Sequence, residues 1–173
     1  YRLRLMSLIP LFILSCCCIW FMTTDILHRR IPNVSVMLML IAAITSGFLI
    51  SPMNWKWQII AALLSFGLLF LIRETGNFLL KQDTMGMGDI KLAGALGAWL
   101  GFSGFLLCLF LGSTLAVGSV FLLRIIGKDI HGKHIPLGFY LGLAALVIIR
   151  LHLLNPTLFQ LAGIIDPLAW LSE

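Results

Sequence analysis

Two carboxylates are placed where chemistry can happen. Asp25 closes the first apolar run of the chain, and Asp89 opens a later one, directly after Gly86-Met87-Gly88. An acid at the mouth of an apolar segment is costly to desolvate, which makes it a functional candidate by default. The glycines before Asp89 let the backbone turn tightly or let another segment come close. Two carboxylates brought within a few ångströms cannot both ionise easily, so they share a proton. The ionised one can then activate a water while the protonated one hydrogen-bonds a peptide carbonyl. That is aspartic-protease chemistry, needing no metal and no nucleophilic Ser or Cys. Spacing alone leaves a second account open, in which each Asp only caps a helix end or pairs with a nearby Arg or Lys.

The elements that must position this pair are membrane-like. Of 173 residues, 60% are hydrophobic and 11% charged, with a mean hydropathy of +1.05. Soluble domains carry roughly a quarter charged residues. The composition therefore indicates an integral membrane protein, with no room for a sizeable soluble domain beside several spans. The net charge of +5 sits on residues flanking apolar runs, as membrane anchoring requires, so nucleic acid is not an expected partner and membrane lipid is. All four cysteines, Cys16, Cys17, Cys18 and Cys108, lie inside apolar runs. Zinc sites want Cys pairs at short spacing on loops, so these read as small apolar packing residues.

The first run spans Leu5 to Thr24, long enough for a bilayer core that takes about 20 residues. Arg2 and Arg4 before it imitate a signal peptide, but no small-residue cleavage site follows, and the run reads as a retained span. A polar turn from Asp25 to Asn33 follows, and Pro32 favours a new helix start. Val34 to Ile50 is the second run. Ser51-Pro52-Met53-Asn54 turns the chain, with Trp55 and Trp57 where interfacial aromatics belong. Gln58 to Ile72 is the third run, stopping at Arg73-Glu74, and Asn77 to Leu80 reads as a short surface helix.

Ile90 to Leu100 is short and rich in Gly and Ala, the residues that let membrane helices pack closely. It is expected to be buried among its neighbours. Phe105 to Ile126 is the fifth run, and Ile135-Pro136-Leu137-Gly138 opens a sixth that reaches Leu154. The tail, 155–173, is a partial span or a surface helix. The expected fold is thus an all-α integral membrane bundle of about six transmembrane helices. It forms a single domain over 1–173, with its core at about 10–154.

Lys and Arg are twice as frequent around the loops after runs one, three and five as on the other side. The positive-inside rule then puts the N-terminus outside and those loops in the cytoplasm. Asp25 and Asp89 both fall at that cytoplasmic face.

Gly86-x-Gly88-Asp89-x-Lys91-Leu92 resembles the GxGD signature of the type IV prepilin peptidases, integral-membrane aspartic proteases. The resemblance extends to Asp25 followed by Arg30-Ile31-Pro32-Asn33, to Ala95-Leu96-Gly97-Ala98-Trp99-Leu100-Gly101, and to Ile135-Pro136-Leu137-Gly138. GxGD alone is weak; the elements in order, with spans between them, form a specific match over roughly residues 10–150. The resemblance implies that Asp25 and Asp89 are the catalytic pair. The implied reaction is cleavage of the basic leader of type IV prepilins or type II secretion pseudopilins, at the cytoplasmic face of a bacterial inner membrane. Gly86, Gly88, Lys91, Pro32, Asn33, Pro136 and Gly138 would shape the active-site loop and the approach of the substrate helix. No cofactor and no metal are implied. The family's long members add a cytoplasmic domain with paired CxxC motifs, associated with methylation. Nothing of that kind precedes the first span here, so methyltransferase activity is not expected.

Lys91 could stabilise an ionised Asp89 or a substrate carbonyl, or snorkel to the interface. His28, His131, His134 and His152 lack metal-ligand spacing and read as interfacial polar residues. Glu74, Asp83 and Asp129 read as solvated loop charges. An archaeal preflagellin-type peptidase shares the GxGD logic. A small ion- or proton-coupled transporter could use Asp25 and Asp89 as relays. It would want acids near mid-span and repeated halves, and neither pattern is visible.

Overall fold

In lipid the backbone must satisfy its own hydrogen bonds, so apolar runs of this length fold as helices. The structure, a computed structural model, describes residues 2–28, 32–50, 55–81, 85–126 and 137–154. These form five helices: α1 (Arg2–His28), α2 (Asn33–Ile50), α3 (Trp55–Leu80), α4 (Met87–Ile125) and α5 (Leu137–Leu154). By length and composition, α3 and α4 are each apolar enough to cross a membrane.

The fourth and fifth expected runs are joined in α4. Its 39 residues would extend about 58 Å as a straight helix, about twice a bilayer core. The break comes at Gly101, where φ is 70° and ψ 170°, a region essentially reserved for glycine. Two helical rods meet there, so the expected division into two segments is recovered at a single residue. The expected surface helix at Asn77–Leu80 is absent as a separate piece. Instead α3 continues unbroken through it and closes at Lys81, whose φ is 52° and whose N–H donates to the Asn77 carbonyl at 2.9 Å.

The first half of α4 is the axis of the bundle. Ile90 and every residue from Leu92 to Leu100 are buried, which a helix achieves only when neighbours enclose it on all sides. As a whole, α4 packs against α2, α3 and α5, while α1 packs against α2 and α5. The small residues do what their size permits. A Cβ added at Gly97 would lie 2.6 Å from the Ser65 Cβ and 2.8 Å from the Ala61 carbonyl. Backbones of α3 and α4 thus meet at glycine distance, antiparallel. On the other side, the Trp99 indole N–H donates to the Met39 carbonyl of α2 at 2.8 Å. Past the break, the Cys108 thiol donates to the Leu141 carbonyl of α5 at 3.3 Å.

The outer surface is apolar. Phe12, Leu63, Phe110 and Val117 are each more than 60% exposed. A water-facing monomer seldom carries contiguous apolar patches on this scale, whereas lipid accepts them. Pro136 and the tail at 155–173 lie outside the described residues.

Candidate active site

Pairing of helices places five element ends together. Asp25 lies in the last turn of α1, because that helix runs on to His28 rather than stopping at the end of the apolar run. Its side chain is buried, at 6% exposure. The carboxylate is nonetheless paired: the backbone N–H of Phe139 donates to Asp25 Oδ2 at 2.8 Å. Phe139 is the third residue of α5, and first-turn N–H groups have no partner within their own helix. Asp25 therefore caps a helix to which it does not belong, where the dipole favours a negative charge.

Asp89 is the third residue of α4 and is half-buried. Its N–H donates to the Gly86 carbonyl at 3.2 Å, closing the first turn. Its carboxyl lies within direct electrostatic reach of Asp25. So the two acids, far apart in sequence, share one end of the bundle, each in a terminal turn.

Other sequence candidates gather around them. Pro32 leads into α2, and its carbonyl accepts from the Ser35 hydroxyl at 2.8 Å and the Val36 N–H at 3.5 Å. Asn33, the first residue of α2, accepts from Lys91 Nζ at 3.0 Å through its Oδ1. Lys91 thereby ties α4 to α2, and no ion pair joins it to Asp89 among the described residues. Gly138 is buried beside Phe139. Gly86 stands just before α4 with φ −68° and ψ 142°, an ordinary extended conformation. A Cβ there would come to 3.6 Å from Asp89 Oδ2, a normal contact. Neither strain nor crowding requires glycine at 86; what its absent side chain leaves is free space in front of the carboxylate.

Two contributors were not legible in the sequence. One is the Phe139 N–H, a backbone group with no side-chain signal. The other is Arg73 on α3, whose Nε donates to the Met85 carbonyl at 3.0 Å. A possible sign was the cation at the end of the third apolar run, close in sequence to the GxGD loop. Among the described residues, no three of His, Cys, Asp or Glu gather as a metal-ligand set.

An apolar helical bundle with a small-residue axis and two neighbouring carboxyls at one end defines a helical membrane protein. Residues 12–122 match the model of the type IV leader peptidase family. The chain belongs to that family. It is similar to proteins named prepilin leader peptidase/N-methyltransferase from three organisms. The one from Aeromonas salmonicida is 36% identical over 88 residues, 50% of this chain and 30% of that protein. The one from Xanthomonas campestris is 28% identical over 138 residues, 79% of this chain and 47% of that protein. The one from Aeromonas hydrophila is 33% identical over 86 residues, with 50% and 30% covered. The chain thus spans 30% to 47% of the length of these relatives. No solved structure matches it.

Proposed function

We propose that this chain is a membrane aspartic endopeptidase that removes the leader of type IV prepilins or related pseudopilins. The observation that carries the proposal is the placement of Asp25 from α1 and Asp89 from α4 in terminal turns at one end of the bundle, within electrostatic reach of each other. Family membership supports a peptidase, and the relatives' names supply the prepilin. Their second named activity, methyl transfer, is not carried into this reading, since the carboxyl pair serves hydrolysis.

In the mechanism a water sits between the two carboxyls. The ionised one takes a proton from it as its oxygen attacks the scissile carbonyl carbon. The protonated one hydrogen-bonds the carbonyl oxygen and stabilises its developing charge. Collapse of the tetrahedral intermediate breaks the C–N bond, a proton passes to the departing amine, and the pair again holds one proton. No cofactor takes part.

The Lys and Arg distribution supports a cytoplasmic location for this end of the bundle, with the N-terminus outside and six spans in a bacterial inner membrane. A substrate with its own apolar helix can then approach laterally through lipid while its basic leader stays in the cytoplasm. Positions in terminal turns do not favour a transport relay, which places acids near mid-span.

The test is cleavage of a prepilin by the purified, detergent-solubilised chain beside its Asp25→Asn and Asp89→Asn forms, each checked for intact folding. Leader removal by the parent and a loss of at least about 1,000-fold in both variants is the expected result. Cleavage surviving either substitution in a folded protein removes that residue from the catalytic pair.

A further inference from the structure

Asp89 is reached through a short segment in which the Met85 side chain packs against the core but the glycines that follow offer no side chain to hold. Met85 and Gly86 precede α4, Gly86 is extended, and no side chain caps the helix. With Gly86 and Gly88 on either side of Met87, this stretch has more backbone freedom than ordinary residues allow. Yet a catalytic carboxyl must be held close to its productive geometry, since a displacement of about 1 Å is enough to cost about 100-fold in rate. Something has to fix the loop.

Among the described residues, two backbone carbonyls of the loop accept hydrogen bonds that matter here. The first is internal, from the Asp89 N–H to the Gly86 carbonyl at 3.2 Å. The second comes from outside. Arg73 Nε donates to the Met85 carbonyl at 3.0 Å, across a separation of 12 residues. The Arg73 side chain is only 16% exposed, against 53% for its neighbour Glu74, and its NH1 lies 3.6 Å from Glu74 Oε1. Arginine is seldom sunk so far without a use. Its anchorage is firm, because α3 lies against the buried half of α4 at the Gly97–Ser65 contact.

We propose that Arg73 is a positioning residue for Asp89: through the Met85 carbonyl it ties the GxGD loop to α3 and holds the carboxyl opposite Asp25. This rests on the peptidase reading above. Arg73 acts through hydrogen-bond donation at Nε, with its charge as a secondary contribution.

Glutamine separates the two roles, because its Nε2 stands at the same bond count from the backbone as arginine Nε, without the charge. Arg73→Met removes the donor and keeps apolar length. The expected result is a fall in kcat of about 100-fold for Arg73→Met, with KM within about twofold because substrate binding is untouched. Arg73→Gln recovers at least about tenfold of that loss. Parent-like kcat in Arg73→Met, or equal damage in Arg73→Gln and Arg73→Met, overturns the proposal.

Hydrogen exchange of the same detergent-solubilised proteins gives a readout that needs no substrate. Arg73→Met should exchange faster at residues 85–90, with residues 92–100 as protected as in the parent. Unchanged exchange at 85–90, or loss of protection throughout α4, overturns the proposal. If the parent cleaves no prepilin, the peptidase reading fails, and exchange still decides whether Arg73 holds the loop.

Discussion

Asp25 of α1 accepts a hydrogen bond from the backbone N–H of Phe139 in α5, at 2.8 Å, across 114 residues of sequence. Burying a carboxylate is expensive unless its oxygens are hydrogen-bonded, and this N–H belongs to a helix turn that cannot use it internally. One contact thus meets the need of an acid and of a helix end. It also fixes the position of α5 on α1.

Phe139 can be altered to separate its amide from its ring. Phe139→Pro removes the N–H at a first-turn position, while Phe139→Ala keeps it and removes the ring that packs edge-on to Tyr140 at 5.3 Å. A hydrogen bond to a charged group contributes about 1.5–3 kcal/mol, so the proline form should cleave prepilin about tenfold or more slowly than the alanine form. Equal rates in the two folded variants would show that Asp25 does not depend on this donor.

In the proposed mechanism the proton shared by Asp25 and Asp89 sets the pH dependence. On the acid side both carboxyls become protonated and no base remains to activate water. On the alkaline side both are ionised and no donor remains for the carbonyl oxygen. The kcat/KM profile for leader removal should therefore be bell-shaped, its two limbs belonging to the pair rather than to either residue. A profile with a single limb would be inconsistent with one proton held between two acids.

Gly97 and Gly101 are glycines for different reasons and should fail differently. Gly97→Ala drives a Cβ against backbone and Ser65, an overpacking that costs about 1–3 kcal/mol. Gly101→Ala meets nothing within 4 Å, yet its φ of 70° imposes about 1–3 kcal/mol of backbone strain. Adding Ser65→Gly, which removes the nearest side-chain obstacle, should recover part of the stability of the first and none of the second. Thermal unfolding in detergent measures both. Recovery of Gly101→Ala by Ser65→Gly would contradict the separate causes.

Much of the architecture is written in the order of residues. Apolar runs of membrane length must be helices, because lipid offers no partner to the backbone. The Gly and Ala of Ile90–Leu100 announced a helix enclosed by others, and Leu92–Leu100 is buried. Asp25 and Asp89 could be singled out because a charge beside an apolar run is costly wherever the chain folds. The helix limits were less legible. Arg73, Glu74 and Asn77 interrupt hydropathy without interrupting α3, since a helix end projecting from an apolar bundle tolerates polar side chains.

What only the tertiary structure decided is which ends meet. Hydropathy orders spans along the chain but not around a bundle, so nothing in it ties α5 to α1. That choice follows from side-chain fit and from unpaired groups at helix ends. It alone assigns the Phe139 amide to Asp25 and the Asn33 side chain to Lys91, and sets Arg73 against the Met85 carbonyl. The sequence determined that two acids stand at the ends of apolar helices. The fold determined that those ends share one side of the bundle and which groups bond there, because a hydrogen bond between distant segments depends on three-dimensional distance, which residue order does not specify.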